Sequence, residues 1–211
     1  ISIVGMKTDD ILYIKESLTA LNKNLNTLIV SDYENISDNI HEIVTHDIII
    51  STPQVLLDGA DSQLNEFIVN GGHIIVLPDS ETLPNDYNLL STILPGITEH
   101  YNDLLLIEHS MPSYQEIDYS RIKTEQIKNI FSSDENQNRN IRFFKYITLP
   151  YAPEHSQVIL NDATNIWNRY NVNNGIIDLF HPVEHYYQCQ VYKFVLQRRT
   201  LYPIIHLALQ N

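Results

Sequence analysis

The fold is decided by residues 47–78, where DIIIS at 47–51 is followed by QLNEFIVNGGHIIVLP at 63–78. The continuous apolar run in the first segment is typical of a parallel strand that is covered on both faces. The second segment predicts a helix that ends at Gly71 and Gly72, as helices commonly do, and then a strand closed by Pro78. Strand, helix and strand with short connections indicate a right-handed crossover within a parallel sheet.

The same alternation extends back to the first residue. Ile1–Val4 predicts a strand that ends at Gly5. From Asp9 onward, apolar side chains recur at three- and four-residue steps, which predicts a helix. Leu28–Val30 predicts the second strand, and Ile36–Val44 predicts a short helix. This half of the chain therefore predicts an α/β fold with a doubly wound parallel sheet and helices on both faces.

The hydrophobic period changes in the last third of the chain. A strand is predicted at 141–149, and an antiparallel three-stranded meander at 156–181. Within the meander, Asn174-Gly175 is a strong hairpin signal. A terminal helix is predicted over Tyr192–Leu209.

These elements predict one domain over residues 1–211. The parallel α/β half occupies 1–110, and an irregular insertion with one helix near Thr124–Phe131 occupies 111–140. The β-meander and the terminal helix occupy 141–211. No internal repeat marks a second unit.

Composition excludes several classes of function. The 211 residues carry 13 Lys and Arg against 26 Asp and Glu, a formal net charge of −13. Such an acidic chain lacks the basic surface that nucleic acid requires, and it is repelled by anionic membranes. The single cysteine, Cys189, excludes a disulfide scaffold and an all-cysteine metal site. We expect no cofactor.

The chain begins at Ile1, inside a predicted strand and without a signal peptide. We therefore expect it to be a piece excised from a longer protein. Any membrane link must then come from segments outside this chain.

Two blocks of sequence resemble the class I glutamine-amidotransferase-like fold, a flavodoxin-related α/β layer. The first is the pair of segments at 47–51 and 63–78 quoted above. The second combines Ser156–Leu160, Ile166–Tyr170 and Asn174–Phe180, in the order of that family's terminal strands. The segment from Ile117–Tyr119 through Ile130-Phe131 and the segment Leu201–Ile205 also fall where the family has similar segments. These are packing and turn motifs rather than catalytic ones.

The combination resembles the C-terminal domain of bacterial aerotolerance-type membrane proteins. That resemblance implies an N-terminal double membrane span, often a von Willebrand factor A domain, and this amidotransferase-like module. It favours a soluble domain on the periplasmic side of the membrane over a cytoplasmic one. The sequence departs from the family at one turn, where the family's glycine is replaced by Ala163 or Thr164, and a basic residue beside the hairpin glycine is missing.

The chemistry of an amidotransferase is not supported by the residues present. A nucleophilic cysteine needs a tight strand-to-helix turn flanked by glycines, and a histidine base beside it. No Gly-x-Cys-x-Gly occurs, and Cys189 has no glycine near it. The sequence therefore predicts no catalytic residue and argues against an enzyme.

A ligand crevice is the alternative at the ends of the first, third and fourth strands, because α/β sheets bind ligands at that edge. Ser80 is the hydroxyl nucleophile candidate there, although a turn or capping hydroxyl is the commoner role. The residues of this predicted crevice are Gly5, Met6, Ser51, Thr52, Pro78, Asp79 and Ser80.

One motif raises a metal hypothesis. His181-Pro182-Val183-Glu184-His185 has the H-x-x-E-H spacing of inverted zincins. Pro182 directly after a strand favours instead a strand-to-helix corner with surface histidines. We expect no metal, with His181, Glu184 and His185 as the weak candidates.

Three functions follow in order of preference. The first is a non-catalytic interaction or scaffold domain that contacts a protein partner or other domains of its own chain. The second is a small-molecule-binding or hydrolase domain that uses the crevice. The third is a metal-binding protein through His181 and His185. Fold alone does not decide among them.

Overall fold

Main-chain pairing arranges the described strands in one large sheet and two small ones. The computed structural model describes residues 1–22, 29–59, 62–79, 81–97, 104–110, 113–122, 142–148 and 154–181. In chain order its elements are β1 Ser2–Val4, α1 Thr8–Asn22, β2 Ser31–Tyr33, α2 Ile40–Ile43, β3 Ile48–Ser51, α3 Pro53–Asp58, α4 Ser62–Val69, β4 His73–Val76, α5 Pro84–Ile93, β5 Leu106–Glu108, β6 Gln115–Glu116, a 3₁₀ turn at Tyr119–Arg121, β7 Arg142–Phe143, β8 Lys145–Ile147, β9 Ser156–Ile159, β10 Asn165–Val172 and β11 Gly175–Phe180.

The central sheet has seven strands in the order β2-β1-β3-β4-β11-β10-β9. The pairs β2–β1, β1–β3, β3–β4 and β4–β11 are parallel. The pairs β11–β10 and β10–β9 are antiparallel. The predicted α/β class is therefore confirmed, with a mostly parallel sheet. The predicted meander forms, and it continues the parallel sheet through β11.

Each face of the sheet buries its own apolar cluster. On one face Ile3, Ile50 and Ile75 pack with Ile14 and Leu18 of α1. On the other face, the strands pack against buried side chains of α2, α3, α4 and α5. The run Ile48–Ile50 contributes to both clusters because successive side chains of a strand point to opposite faces.

Two predicted strands differ from the structure, and one helix was not predicted. The second strand was predicted at Leu28–Val30 and lies at Ser31–Tyr33. It is an edge strand whose register is fixed by main-chain hydrogen bonds, among them Ser31 N to Ile1 O at 3.0 Å, so it needs no apolar run. The predicted strand at 141–149 is two strands, β7 and β8, which pair with β6 and β5 respectively. Helix α3 was not predicted.

Two predicted helices, at Thr124–Phe131 and Tyr192–Leu209, lie outside the described residues. Among the residues that the structure does describe, no helix combines the length and apolar character needed to cross a bilayer.

Gly175 in the β10–β11 hairpin is needed for a different reason from the one that the sequence indicated. Val172 pairs with Gly175, so the two turn residues are Asn173 and Asn174, one position earlier than predicted. Asn173 takes a positive φ of 53°. A Cβ at Gly175 would collide with the carbonyl oxygen of Ile68 at the end of α4. Glycine is therefore required by close approach of that helix.

The β9–β10 turn places Ala163 at a φ of 69°, in the left-handed region that disfavours side chains. Ala163→Gly should raise the free energy of unfolding by about 0.5–1 kcal/mol, the steric relief less the added flexibility of the unfolded chain. Thr164 is the control, because its φ is not positive. Thr164→Gly should lower stability, and urea denaturation of both variants checks the opposite signs. Equal signs would contradict this geometry.

Candidate functional site

The carboxyl edge of the sheet is where the predicted crevice lies. Val4 pairs with Ser51, and Ser51 with Val76, so the chain after β1, β3 and β4 leaves the sheet at neighbouring points. Strand β1 has β2 on one side and β3 on the other, so the strand order reverses at β1, and such reversals are where α/β sheets bind ligands. The structure thus brings together Gly5, Thr52 and Pro78 at this edge. Ser80 lies outside the described residues.

The predicted crevice residues after β1 and β3 serve packing and internal bonding. Ser51 is fully buried, and its hydroxyl donates to the Val4 carbonyl at 3.1 Å. Thr52 is buried before the first turn of α3. Met6 packs against the apolar cluster on the α1 face. At Gly5, with φ 61°, a Cβ would overlap the Val55 side chain.

Asp79 organises the turn after β4. Its carboxylate accepts hydrogen bonds from the main-chain N–H groups of Glu81 and Thr82 at 2.9 and 3.0 Å, and from the Thr82 hydroxyl at 2.9 Å. Lys7, in the loop after β1, reaches Asp79 at 3.7 Å and Glu81 at 2.9 Å. An exposed ion pair thereby ties the two loops together across the end of β3.

A polar network extends this turn to two helices, and the sequence did not indicate it. The Thr82 hydroxyl, which donates to Asp79, also lies 3.3 Å from the side-chain oxygen of Gln54 in α3, and Gln54 donates to Asp86 of α5 at 2.8 Å. Strand β4 thus leads through Pro78 into a turn that Asp79 holds by hydrogen bonds to Glu81 and Thr82. Within the described part of this edge, Ser51 and Thr82 use their hydroxyl groups to join structural elements.

The strongest buried electrostatic site lies elsewhere, on Asp178 of β11. Asp178 is fully buried and accepts from Arg169 Nε at 2.9 Å, Arg169 Nη2 at 2.8 Å and Trp167 Nε1 at 2.8 Å. His73 Nε2 of β4 lies 2.8 Å from its other side. The Arg169 guanidinium also lies 5.6 Å from the centre of the Trp167 ring.

This arrangement keeps Asp178 ionised. Burial by itself would raise the pKa of Asp178, but the hydrogen bonds and charges of Arg169 and His73 outweigh it and lower the pKa to about 2. The carboxylate is saturated by neighbouring donors, so it acts as a connector between β4, β11 and β10. The signal in the sequence was an acidic residue inside the apolar strand IIDLF at 176–180.

His181, at the end of β11, is buried rather than exposed, so the prediction of a surface histidine is wrong for this residue. Its ring packs on Tyr87 with centroids 4.2 Å apart, and the Tyr87 hydroxyl donates to the Phe180 carbonyl. Among the described residues, neither ring nitrogen has a hydrogen-bond partner. Burial lowers the pKa of His181 well below its ordinary value, so the imidazole is neutral.

The metal hypothesis gains no ligand set from this geometry. Across the described ranges, no three His, Cys, Asp or Glu side chains are gathered as metal ligands would be. Glu184, His185 and Cys189 lie outside those ranges.

Comparison with known proteins gives likeness of fold. No family model and no curated protein matches the chain. The cytoplasmic protein STM3548 from Salmonella typhimurium is similar at a TM-score of 0.63 and 12% identity, over 98% of this chain and 97% of that one. The cytoplasmic protein STM1381 from Salmonella typhimurium LT2 is similar at 0.61 and 10%, over 99% of each chain.

A third similar structure belongs to a much longer chain. The GH42 beta-galactosidase Gan42B from G. stearothermophilus, in a catalytic-mutant form, matches at a TM-score of 0.54 and 10% identity. The match covers 99% of this chain and 30% of the enzyme. None of the three is described as an amidotransferase, and at these identities the likeness shows the fold alone.

Asp178→Asn should lower the free energy of unfolding by about 3–5 kcal/mol, because Arg169 and His73 would face a neutral group in a buried site. Asp32→Asn is the matched control, since it removes the exposed ion pair with Lys15 and should cost under about 1 kcal/mol. Urea denaturation at pH 7 measures both. Equal losses for the two variants would contradict a connecting role for Asp178.

His181 should make the protein acid-sensitive in a defined window. Since its folded pKa lies below the ordinary 6.5, the unfolded state binds more protons below that pH. Stability is therefore undiminished above pH 6.5 and falls by up to about 1.4 kcal/mol per unit below it. His181→Phe should flatten this slope between pH 6.5 and 5.5 relative to the unchanged chain. An unchanged slope in His181→Phe would contradict the neutral buried state.

Proposed function

We propose that the chain is a non-catalytic interaction domain that uses an amidotransferase-like scaffold to contact a protein partner or other domains of its own chain. One observation carries the proposal. At the carboxyl edge, where such a scaffold would hold its chemistry, the described polar side chains Ser51, Asp79 and Thr82 join structural elements to one another. The histidine at that edge, His181, is fully buried, so its ring is closed to solvent, and burial lowers its pKa well below the ordinary value, which makes it a weak base.

The flavodoxin-like assignment is supported by strand order. The parallel strands run β2-β1-β3-β4-β11, which corresponds to the 2-1-3-4-5 order of flavodoxin-like sheets. Two turn positions support the family resemblance as well. Ala163, one of the two residues that stand where the family has its turn glycine, has a positive φ, and Gly175 faces the end of α4 too closely for a Cβ. At positions 163 and 175 the backbone therefore suits glycine, the residue that the family pattern has there.

A place within a longer, membrane-anchored protein follows from the same resemblance. The match to 30% of a longer enzyme supports the idea that this fold serves as one part of a larger chain. In our proposal the membrane anchor lies in segments outside this chain, and the domain faces the periplasm. The similar Salmonella proteins are described as cytoplasmic, so the compartment is a separate question from the fold.

Charge favours a protein partner over a lipid surface. No Lys or Arg occurs between Lys23 and Arg121, a stretch that supplies α2, α3, α4 and α5. These four helices therefore carry acidic side chains, such as Glu42 and Glu66, and no Lys or Arg. Complementary charge favours a basic protein surface against this layer, and anionic lipid is repelled.

The non-catalytic proposal predicts that the purified chain releases no ammonia from glutamine and hydrolyses p-nitrophenyl acetate no faster than a matched protein control. The physical reason is the internal engagement of the Ser51 and Thr82 hydroxyl groups. Ammonia release and nitrophenolate absorbance measure the two reactions at pH 7.5, where His181 is neutral.

The control variants are Ser51→Ala, Ser80→Ala and Cys189→Ala, each tested against the unchanged chain. All four proteins should show the same background rate. Hydrolysis above background that falls by about 100-fold or more in one of these variants would overturn the proposal, because losses of that size mark a nucleophile or its stabilising donor.

A further inference from the structure

Strand β5 pairs with β8 along one of its two edges. The main-chain bond from Thr148 N to Leu105 O, at 2.8 Å, fixes which residues of β5 face β8. Bonded and non-bonded positions alternate along an antiparallel pair, so the N–H and C=O groups of Leu106 and Glu108 point away from β8. Among the described residues these main-chain groups have no hydrogen-bond partner, and no third described strand joins this small sheet.

The inner strand of the pair, β8, belongs to the core. Ile147 N donates to the His181 carbonyl at 3.0 Å, at the end of β11. Tyr146 and Ile147 are buried in the apolar clusters on opposite faces of the central sheet, as successive side chains of a central strand would be. Ile107 of β5 packs against the same cluster as Tyr146. Strand β5 is therefore a firmly supported outer edge.

The side chains along this edge are apolar and acidic. Leu105 and Leu106 are 60% and 37% exposed, and the Glu108 side chain is 53% exposed. Leu106 and Glu108 lie on the same face of β5, because side chains alternate along a strand. An exposed apolar edge with unpaired main-chain groups is suited to pairing with a further strand. Such a strand would meet an apolar position and an acidic position two residues apart.

Charge distinguishes among the candidate occupants of this edge. Residues 24–120, which include β5, carry 16 Asp and Glu and no Lys or Arg. Lys145 of β8 lies 3.7 Å from Glu108 but is only 19% exposed, so the more exposed charge of the pair is negative. A second copy of the chain, with its net charge of −13, would be repelled. A segment that carries Lys or Arg opposite Glu108 would be attracted.

We propose that β5 binds an extended segment of a protein partner as an added antiparallel strand, with an apolar residue opposite Leu106 and a Lys or Arg opposite Glu108. Main-chain hydrogen bonds to the outward groups of these two residues supply affinity, and the alternate side chains of the segment supply specificity. This inference rests on the proposed interaction function, because it names the surface and the class of partner.

Amide hydrogen exchange in the free chain at pH 7, followed by NMR, tests whether the edge is open. The amides of Leu106 and Glu108 should exchange about tenfold or more faster than those of His109 and Thr148, which are hydrogen-bonded between β5 and the chain around β8. Equal protection of all four amides would show that another part of the same chain covers the edge, and it would overturn the proposal.

The binding probe is the capped peptide Thr-Lys-Thr-Val-Thr-Lys-Thr, which places valine and lysine two residues apart. It should cause saturable NMR shift changes at Leu106 and Glu108 and slow the exchange of their amides, with exchange at Ile75 unchanged. One control peptide has glutamate in place of both lysines, and another has N-methyl groups on the valine and both lysines. Each should bind about tenfold or more weakly. Absence of saturable changes, or equal binding of either control, would overturn the proposal.

Variants of the chain separate main-chain pairing from charge. Leu106→Pro removes an outward N–H and leaves the inward bonds of β5 in place, so peptide binding should fall by about tenfold or more. Glu108→Lys, at an exposed position, should weaken binding several-fold and keeps the test available if Leu106→Pro misfolds. Glu66→Lys changes the net charge equally at an exposed site on α4 and should leave binding unchanged. Equal effects of the two charge reversals would contradict pairing opposite Glu108.

Failure of this inference is distinguishable from failure of the proposed function. Hydrolysis of glutamine or of the ester would overturn the non-catalytic proposal and leave the exchange pattern of β5 as it is. Protected edge amides or an absence of peptide binding would overturn strand addition at β5 and leave the hydrolysis assays at background.

Discussion

A buried carboxylate, Asp178, connects the two halves of this molecule. It lies on β11, the strand that joins the parallel half to the antiparallel meander, and it receives groups from β4 on one side and β10 on the other. An isolated buried carboxylate would be strongly unfavourable. Burial of this carboxylate is tolerated because Arg169, Trp167 and His73 surround it. These three groups meet Asp178 when β4, β11 and β10 pair in the observed register. The position of β11 between β4 and β10 satisfies that constraint.

The same use of polar groups for connection extends to the carboxyl edge. Asp79 holds its own turn, Lys7 links two loops, and Ser51 bonds to the neighbouring strand. These groups occupy positions where an α/β enzyme would place substrate-binding or reacting side chains. This use of the edge is what the proposed interaction domain would need.

The sequence predicted the elements whose signal is local. Strands β3 and β4 followed from continuous apolar runs, and the end of α4 from Gly71 and Gly72. β2 was displaced because an edge strand that is half-exposed carries little apolar signal. The six-residue α3 was missed because it is short and begins at Pro53, which reads equally well as a turn.

The connecting residues could not be predicted in the same way. Asp178, Arg169 and His73 are separated by up to 105 positions, and only the pairing of β4, β11 and β10 brings them together. His181 was expected at the surface because the corner after a strand is usually solvated, yet α5 covers it with Tyr87. The alternation within β10 and β11 does place Trp167, Arg169 and Asp178 on one face, which was the available signal.

The central claim is that Asp178 is an ionised connector, and its carboxyl ¹³C chemical shift measured from pH 7 downward tests it most directly. The account predicts the shift of a carboxylate until the pH falls to about 3 or the chain unfolds, because the native pKa is about 2. A titration in the folded protein with a midpoint at or above the ordinary value of 3.8 would contradict it.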